Sequence, residues 1–147
     1  MLFHPLDCKT WPRAEHFRYY TDVVRTRYNL NYEIDITALH QHVKQKKLRF
    51  YPVALWMVMR VVNDTMELRM ATDADGNPGY WEYCVPSYTI FHEDDHTFSD
   101  IWTEWNDDFR VFYAQAAEDM GKYAGVKGVK AKAGRPDNFT SLSMLPW

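Results

Sequence analysis

Pro52-Val53-Ala54-Leu55-Trp56-Met57-Val58-Met59-Arg60-Val61-Val62 is the stretch that decides how the rest of the chain is read. Proline suits the first turn of a helix, where its missing N–H costs nothing. The run that follows is apolar at almost every position, which predicts a helix buried on nearly all sides at the centre of a core. With only Val53 to Met59 uninterrupted by charge, it is far shorter than the ~20 apolar residues that a bilayer span requires.

Upstream, Pro12 follows Trp11, and apolar residues at 17, 20, 23 and 24 predict a short helix up to Val24. Tyr28, Leu30, Tyr32, Ile34 and Ile36 alternate with Asn29, Asn31, Glu33 and Asp35, the period-two pattern of a half-buried strand. Thr37 then offers an N-cap to a helix ending in the basic turn Gln45-Lys46-Lys47. Downstream, Met66, Leu68 and Met70 alternate with polar neighbours before the turn-rich Asp73 to Gly79, which predicts a β-hairpin. A strand is expected from about Ser87 to His92. The stretch Thr97 to Trp105 fits helical spacing and extended structure equally. Phe109, Phe112, Tyr113, Ala116, Met120 and Tyr123 recur at three and four residues after a cap at Asn106, marking an amphipathic helix. Ala124 to Asp137 carries Gly, Ala and Lys with little apolar bulk and reads as a mobile surface loop that packs little. A short β-like run from Phe139 to Trp147 follows, and its apolar end suggests a fold that continues.

The 147 residues, 46% hydrophobic and 25% charged, have the make-up of one globular domain, large enough to bury roughly 68–70% of its unfolded surface. A net charge of −3 gives no electrostatic reason to expect nucleic acid or an anionic membrane. Cys8 and Cys84 stand alone, with no disulfide framework or C-x-x-C, and no basic-then-apolar leader opens the chain; the expected compartment is the cytoplasm. Aromatic residues, at 16%, are numerous enough to line a flat small-molecule pocket as well as a core.

Several short motifs carry less than they suggest. His92-Glu93-Asp94-Asp95-His96 matches H-E-x-x-H, but the zinc motif belongs on a helix and this one closes a strand, so a charged turn is expected and no metal. Asp73-x-Asp75-Gly76-Asn77 lacks the closing Glu of a calcium loop. His40 and His42 lie two apart on a helix and face apart. Lys127, Lys130, Lys132 and Arg135 read as solubilising charges.

Seven collinear strings are more specific: Trp11-Pro12-Arg13-Ala14-Glu15-His16-Phe17, Ile34-Asp35-Ile36-Thr37, Arg49-Phe50-Tyr51-Pro52, Glu67-Leu68-Arg69-Met70, Pro86-Ser87-Tyr88-Thr89-Ile90-Phe91-His92, Thr97-Phe98-Ser99 and Leu145-Pro146-Trp147. In this order the chain, from about Phe3 to its last residue, resembles the chloramphenicol acetyltransferases. The resemblance implies an α/β two-layer fold with a mixed β-sheet packed on helices, and a single domain over 1–147 that corresponds to the amino-terminal two thirds of the family's chains. It implies acetyl transfer from acetyl-CoA to a hydroxyl of chloramphenicol or a similar small molecule, as in antibiotic resistance, within a homotrimer whose drug site lies at a subunit interface. The family's general base is a His in an H-H-x-x-x-D-G motif. None of the six His here is followed by His, and the only Asp-Gly, Asp75-Gly76, sits in the hairpin turn.

By the same resemblance Ser143 is the catalytic serine that stabilises the oxyanion, Arg13 is the arginine that pairs with the Asp of the missing motif, and Tyr20, Val24, Thr26, Tyr28, Ser87, Thr89, Phe98 and Ser141 are substrate-binding positions. Asp100 departs from a position that is small and apolar in some relatives. The expectation is a chain inactive alone, the alternative being a non-catalytic binding or oligomerising remnant of that fold.

Overall fold

A computed structural model describes residues 2–144 as an α/β arrangement of two three-stranded sheets and four α-helices. The elements are β1 (Phe3–Pro5), α1 (Ala14–Arg18), α2 (Thr37–Gln45), α3 (Phe50–Asp64), β2 (Met70–Thr72), β3 (Pro78–Trp81), β4 (Val85–His92), β5 (Thr97–Trp102), α4 (Phe109–Tyr123) and β6 (Phe139–Leu142). The smaller sheet is antiparallel, in the order β1-β3-β2, and Asp73 closes the β2–β3 hairpin by accepting from the Asn77 amide at 2.8 Å. The larger sheet has the order β5-β4-β6 and is mixed: β4 pairs antiparallel with β5 and parallel with β6.

Helices α3 and α4 cover one face of the larger sheet. Leu55 of α3, Tyr88 of β4, Ile101 of β5 and Phe112, Ala116 and Met120 of α4 form one buried cluster; Met59, Val62 and Cys84 form a second. Polar latches hold the layers in register. Asn63 accepts from the Cys84 amide at 2.7 Å and donates to its carbonyl at 3.0 Å, and the Arg49 amide at the start of α3 donates to the Tyr113 hydroxyl on α4 at 2.9 Å. Tyr88 bonds the Thr103 hydroxyl at 2.8 Å, and Thr103 donates to Asp119 at 2.7 Å, so the polar tip of a buried tyrosine is satisfied. Burial pushes the Tyr88 hydroxyl and the Cys84 thiol well up from their ordinary pKa values.

Several expectations are corrected. Residues 25–36 are not a strand: they run without secondary structure, and their apolar positions are exposed, Leu30 by 82% and Tyr32 by 90%. The alternation is that of a strand, yet a strand exists only when another strand takes up its N–H and C=O groups, and among the described residues none pairs with it. Helix α3 starts two residues before Pro52, which still occupies the first turn, and it is not buried all round: Met57, Val58 and Val61 face solvent. The Met66–Leu68 alternation lies in a 3₁₀ turn, Met66–Arg69, and the expected helix after Pro12 is one α-turn running into a π-turn, Tyr19–Val23. The cap of α4 is Asp108, accepting from the Arg110 amide, while Asn106 accepts from Asp108 one step earlier. Helix α2 is preceded by Ile36 rather than capped by Thr37; the Asp35 carboxylate takes the Thr37 amide at 2.9 Å.

The 124–137 segment is a loop, but it packs. Asp100 N donates to Val129 O at 2.8 Å and Ala131 N to Asp100 O at 3.1 Å, adding a one-residue parallel bridge beside β5. The stretch open between helix and strand is strand, Thr97–Trp102. Of the last run, Phe139–Leu142 is strand; Leu145, Pro146 and Trp147 lie outside the described residues. No helix of the described residues is long and apolar enough to cross a membrane.

Candidate active site

Side chains alternate across a strand, so the register of the larger sheet decides which of them meet. Tyr88, Ser99 and Ile101 point at the helices and are buried. Their neighbours Ser87, Thr89, Phe98 and Asp100 point to the other face, which no helix of the described residues covers. Across strands, Ser87 stands opposite Trp102 and beside Ser141, and Thr89 opposite Asp100. One step past the last paired residue of β6, the Ser143 hydroxyl reaches Thr89 Oγ1 at 3.3 Å. Five of the positions named from the sequence, Ser87, Thr89, Phe98, Ser141 and Ser143, therefore share one sheet face. The row Ser143–Thr89–Asp100–Lys130 runs across it, completed by the bridge between Asp100 and Lys130.

Two clefts bound this row. The first, about 320 Å³, lies between the sheet face and the 130–137 loop, with Ser87, Asp100, Trp102, Lys130, Arg135 and Phe139 among its walls. Here the guanidinium of Arg135 lies 3.7 Å over the Phe139 ring and donates to the Ser87 hydroxyl at 3.1 Å. The second, about 260 Å³ and mostly apolar, is lined by Arg49, Tyr51, Thr89, Phe91, Met120 and Met144 at the open sheet edge. Tyr51 donates its hydroxyl to the Thr89 carbonyl at 3.2 Å, and burial raises its pKa, with the Asp100 charge adding to the rise. Phe98 lines neither cleft; it stands opposite Phe91 on the same face, 54% exposed.

The remaining positions are elsewhere. Tyr20, Thr26 and Tyr28 line a separate open groove along the 20–28 segment, with Val24 half-exposed nearby, and none of these four lines either cleft beside the hydroxyl row. Arg13 precedes α1 at the surface, 3.9 Å from Glu67 Oε1. His92 is 4% exposed and bonds Ser99 Oγ at 2.7 Å; because Ser99 donates its own proton to Val126 O, His92 Nε2 is the donor. His96 stacks on Phe91. Among the described residues no histidine hydrogen-bonds Ser143 or Thr89, and no three His, Cys, Asp or Glu are grouped to hold a metal ion. Sequence reasoning missed Lys130, Arg135 and Tyr51 as walls. Tyr51 stood inside a quoted string, but the loop cations had no periodicity to expose their position.

A mixed sheet covered by helices α3 and α4 on one face and carrying a hydroxyl row on the other defines a two-layer α/β protein. The family model described as Chloramphenicol acetyltransferase matches residues 1–147, and the chain belongs to that family. It is 39% identical over all 147 residues to a chloramphenicol acetyltransferase of Clostridium butyricum, covering 67% of that protein, and 40% identical to one of Vibrio anguillarum, covering 66%. A solved chloramphenicol acetyltransferase superposes with a TM-score of 0.80 at 18% identity, over 97% of this chain and 69% of that one. The chain thus spans about two thirds of the length of these relatives.

Proposed function

We propose that this chain supplies the oxyanion and acceptor-binding side of an acetyl-CoA-dependent O-acetyltransferase acting on chloramphenicol or a similar hydroxylated small molecule, an activity that confers antibiotic resistance. The observation that carries this reading is the Ser143–Thr89 hydroxyl pair, set between a polar cleft and an apolar one. Acyl transfer needs two substrates to converge on one oxyanion donor. The acceptor enters the cleft by Ser87; the pantetheine arm suits the apolar cleft, where Arg49 is the one cation available to its phosphates among the lining residues.

In the reaction the acceptor hydroxyl attacks the thioester carbonyl, its proton passes to a base, and the thiolate of coenzyme A leaves. Ser143 donates to the tetrahedral oxyanion, held in place by Thr89. We assign the base to a group outside this chain's own histidines, because among the described residues none of them hydrogen-bonds the hydroxyl row, His92 being buried on Ser99 and His96 stacked on Phe91. Family chains supply it from an H-H-x-x-x-D-G segment, whose Asp would engage Arg13, here only weakly paired. The placement of Tyr20, Val24, Thr26 and Tyr28 away from the Ser143 face fits service to a neighbouring copy in a homotrimer.

Thiol release from acetyl-CoA with chloramphenicol as acceptor tests this. The chain alone is expected to turn over negligibly, since general-base assistance is worth ~10²–10⁴-fold and orientation more. Co-expression with the carboxyl-terminal third of a relative restores turnover, and Ser143→Ala lowers the restored rate by ~10²–10³-fold. Turnover by the chain alone near ~1–10³ per second would overturn the assignment of the missing base.

A further inference from the structure

Asp100 is the one carboxylate on the floor of the polar cleft. It is half-buried, directly across from Thr89, and among the described residues it has no ion pair within 4.0 Å. Its backbone N–H and C=O both turn outward to Val129 and Ala131, so Thr89 and Asp100 form the non-hydrogen-bonded kind of cross-strand pair, with side chains close together. Two strand spacings, about 10 Å, separate its row position from that of Ser143.

Of the other charges around the cleft, only Lys132 has an ion pair among the described residues, and Arg135 leans on neutral groups. Lys132 is bound by Asp119 and lies 4.4 Å from the Trp102 ring centroid, and Arg135 is engaged by Ser87 and Phe139. Lys130 is exposed on the loop beside Asp100, and Asp137 is exposed at the rim. A partly desolvated carboxylate without a partner is the group here that gains most from an incoming opposite charge, because it has lost water without gaining an ion.

We propose that this cleft selects a hydroxyl-bearing acceptor that also carries a protonated amine, with the ammonium on Asp100 and the reacting hydroxyl about two strand widths away at Ser143. This specificity rests on the acceptor-cleft reading above and narrows it: a neutral amide at the same place leaves Asp100 unanswered. Lys130 acts in the opposite sense, as a cation that competes with the ligand for the same carboxylate.

Calorimetric titration with two compounds that differ in one group tests the proposal: chloramphenicol, which is neutral, and the amine left when its dichloroacetyl group is removed, at a pH where that amine is protonated. The amine is expected to bind about tenfold more tightly than chloramphenicol, the gain of one charge-assisted contact. Asp100→Asn, which keeps the size and the backbone bonds, weakens the amine about tenfold more than it changes chloramphenicol, so the preference is lost. Lys130→Gln enlarges the preference, a change of sign that general loss of structure would not produce. Equal or tighter binding of chloramphenicol, or an equal effect of Asp100→Asn on both compounds, overturns the proposal while leaving the acceptor cleft intact. Failure of both compounds to bind overturns the proposal and the acceptor-cleft reading together.

Discussion

The ammonium of Lys132 bonds both carboxylate oxygens of Asp119, at 2.7 and 2.8 Å, with the two side chains only 18% and 17% exposed. This pair ties the loop after α4 back onto the helix, and through Thr103 it reaches the buried hydroxyl of Tyr88. Asp119→Ala strands a half-buried ammonium and a buried hydroxyl chain at once. The expected cost is about 2–3 kcal/mol, below the ~3–5 kcal/mol of fully buried pairs. A urea midpoint that does not move would show the loop to be held by its backbone bridge alone.

Asp95 gives the turn after β4 a pH dependence. Its carboxylate accepts from the Thr97 hydroxyl at 2.6 Å and amide at 3.0 Å, and from Lys127 at 2.9 Å, which together hold its pKa down at about 2. A carboxylate whose pKa is lowered by folding stabilises the fold above its unfolded value and loses that contribution as pH falls through the folded one. The turn is therefore expected to loosen only between about pH 4 and pH 2. In NMR titration, Thr97→Val should move the Asp95 midpoint upward, and a midpoint already at the ordinary carboxylate value in the parent chain would contradict the assignment.

Gly79 on β3 is held by its neighbours rather than by its own conformation. A Cβ there would meet the Phe3 ring and, at 2.6 Å, the His4 carbonyl oxygen, and the latter is backbone that cannot turn aside. Gly79→Ala should cost about 1–3 kcal/mol by overpacking and lift β1 from the sheet. The Trp81 fluorescence reports this, since Phe3 stacks edge-on against that indole at 4.9 Å. Gly76→Ala is strained for a different reason, its φ of +80°, although nothing lies within 4 Å of it.

The exposed stripe of Tyr28, Leu30, Tyr32, Ile34 and Ile36 is larger than isolated chains usually tolerate. Sedimentation at micromolar concentration is expected to show species above the 17.5 kDa of one chain. The pair Leu30→Lys and Tyr32→Lys should reduce that association without shifting the unfolding midpoint, because neither side chain packs on the folded body. A parent chain that sediments as a single monomer would refute this.

Elements with a strong local pattern were legible from their residues, whereas β5 fitted two patterns equally and three-residue β1 offered none. The α3 helix, the β2–β3 hairpin and α4 each follow from local periodicity and turn chemistry, and Ser87, Thr89, Ser141 and Ser143 were placed together by resemblance before register showed why they meet. What failed did so for identifiable reasons. The alternation at 28–36 specifies a pleated face but not the backbone that would pair with it. Burial all round α3 was inferred from composition, whereas Met57, Val58 and Val61 need a covering layer that the described residues do not provide. The loop at 124–137 is anchored by main-chain bonds to Asp100, which no side-chain pattern announces.

The parallel pairing of β4 with β6 joins Ser87 to Ser141, residues far apart along the chain, so this contact carries a larger loop-closure cost than the β4–β5 hairpin. It is also held from one side, since β6 is an edge of four residues with Phe139 and Ser141 exposed. The serine that defines the site thus directly follows a short edge strand, the last strand of the described residues. Amide exchange at Ser141 and Leu142 should outpace that at Tyr88 and Ile101, and the hydroxyl row will come apart by local detachment well before the helices that support it lose their packing.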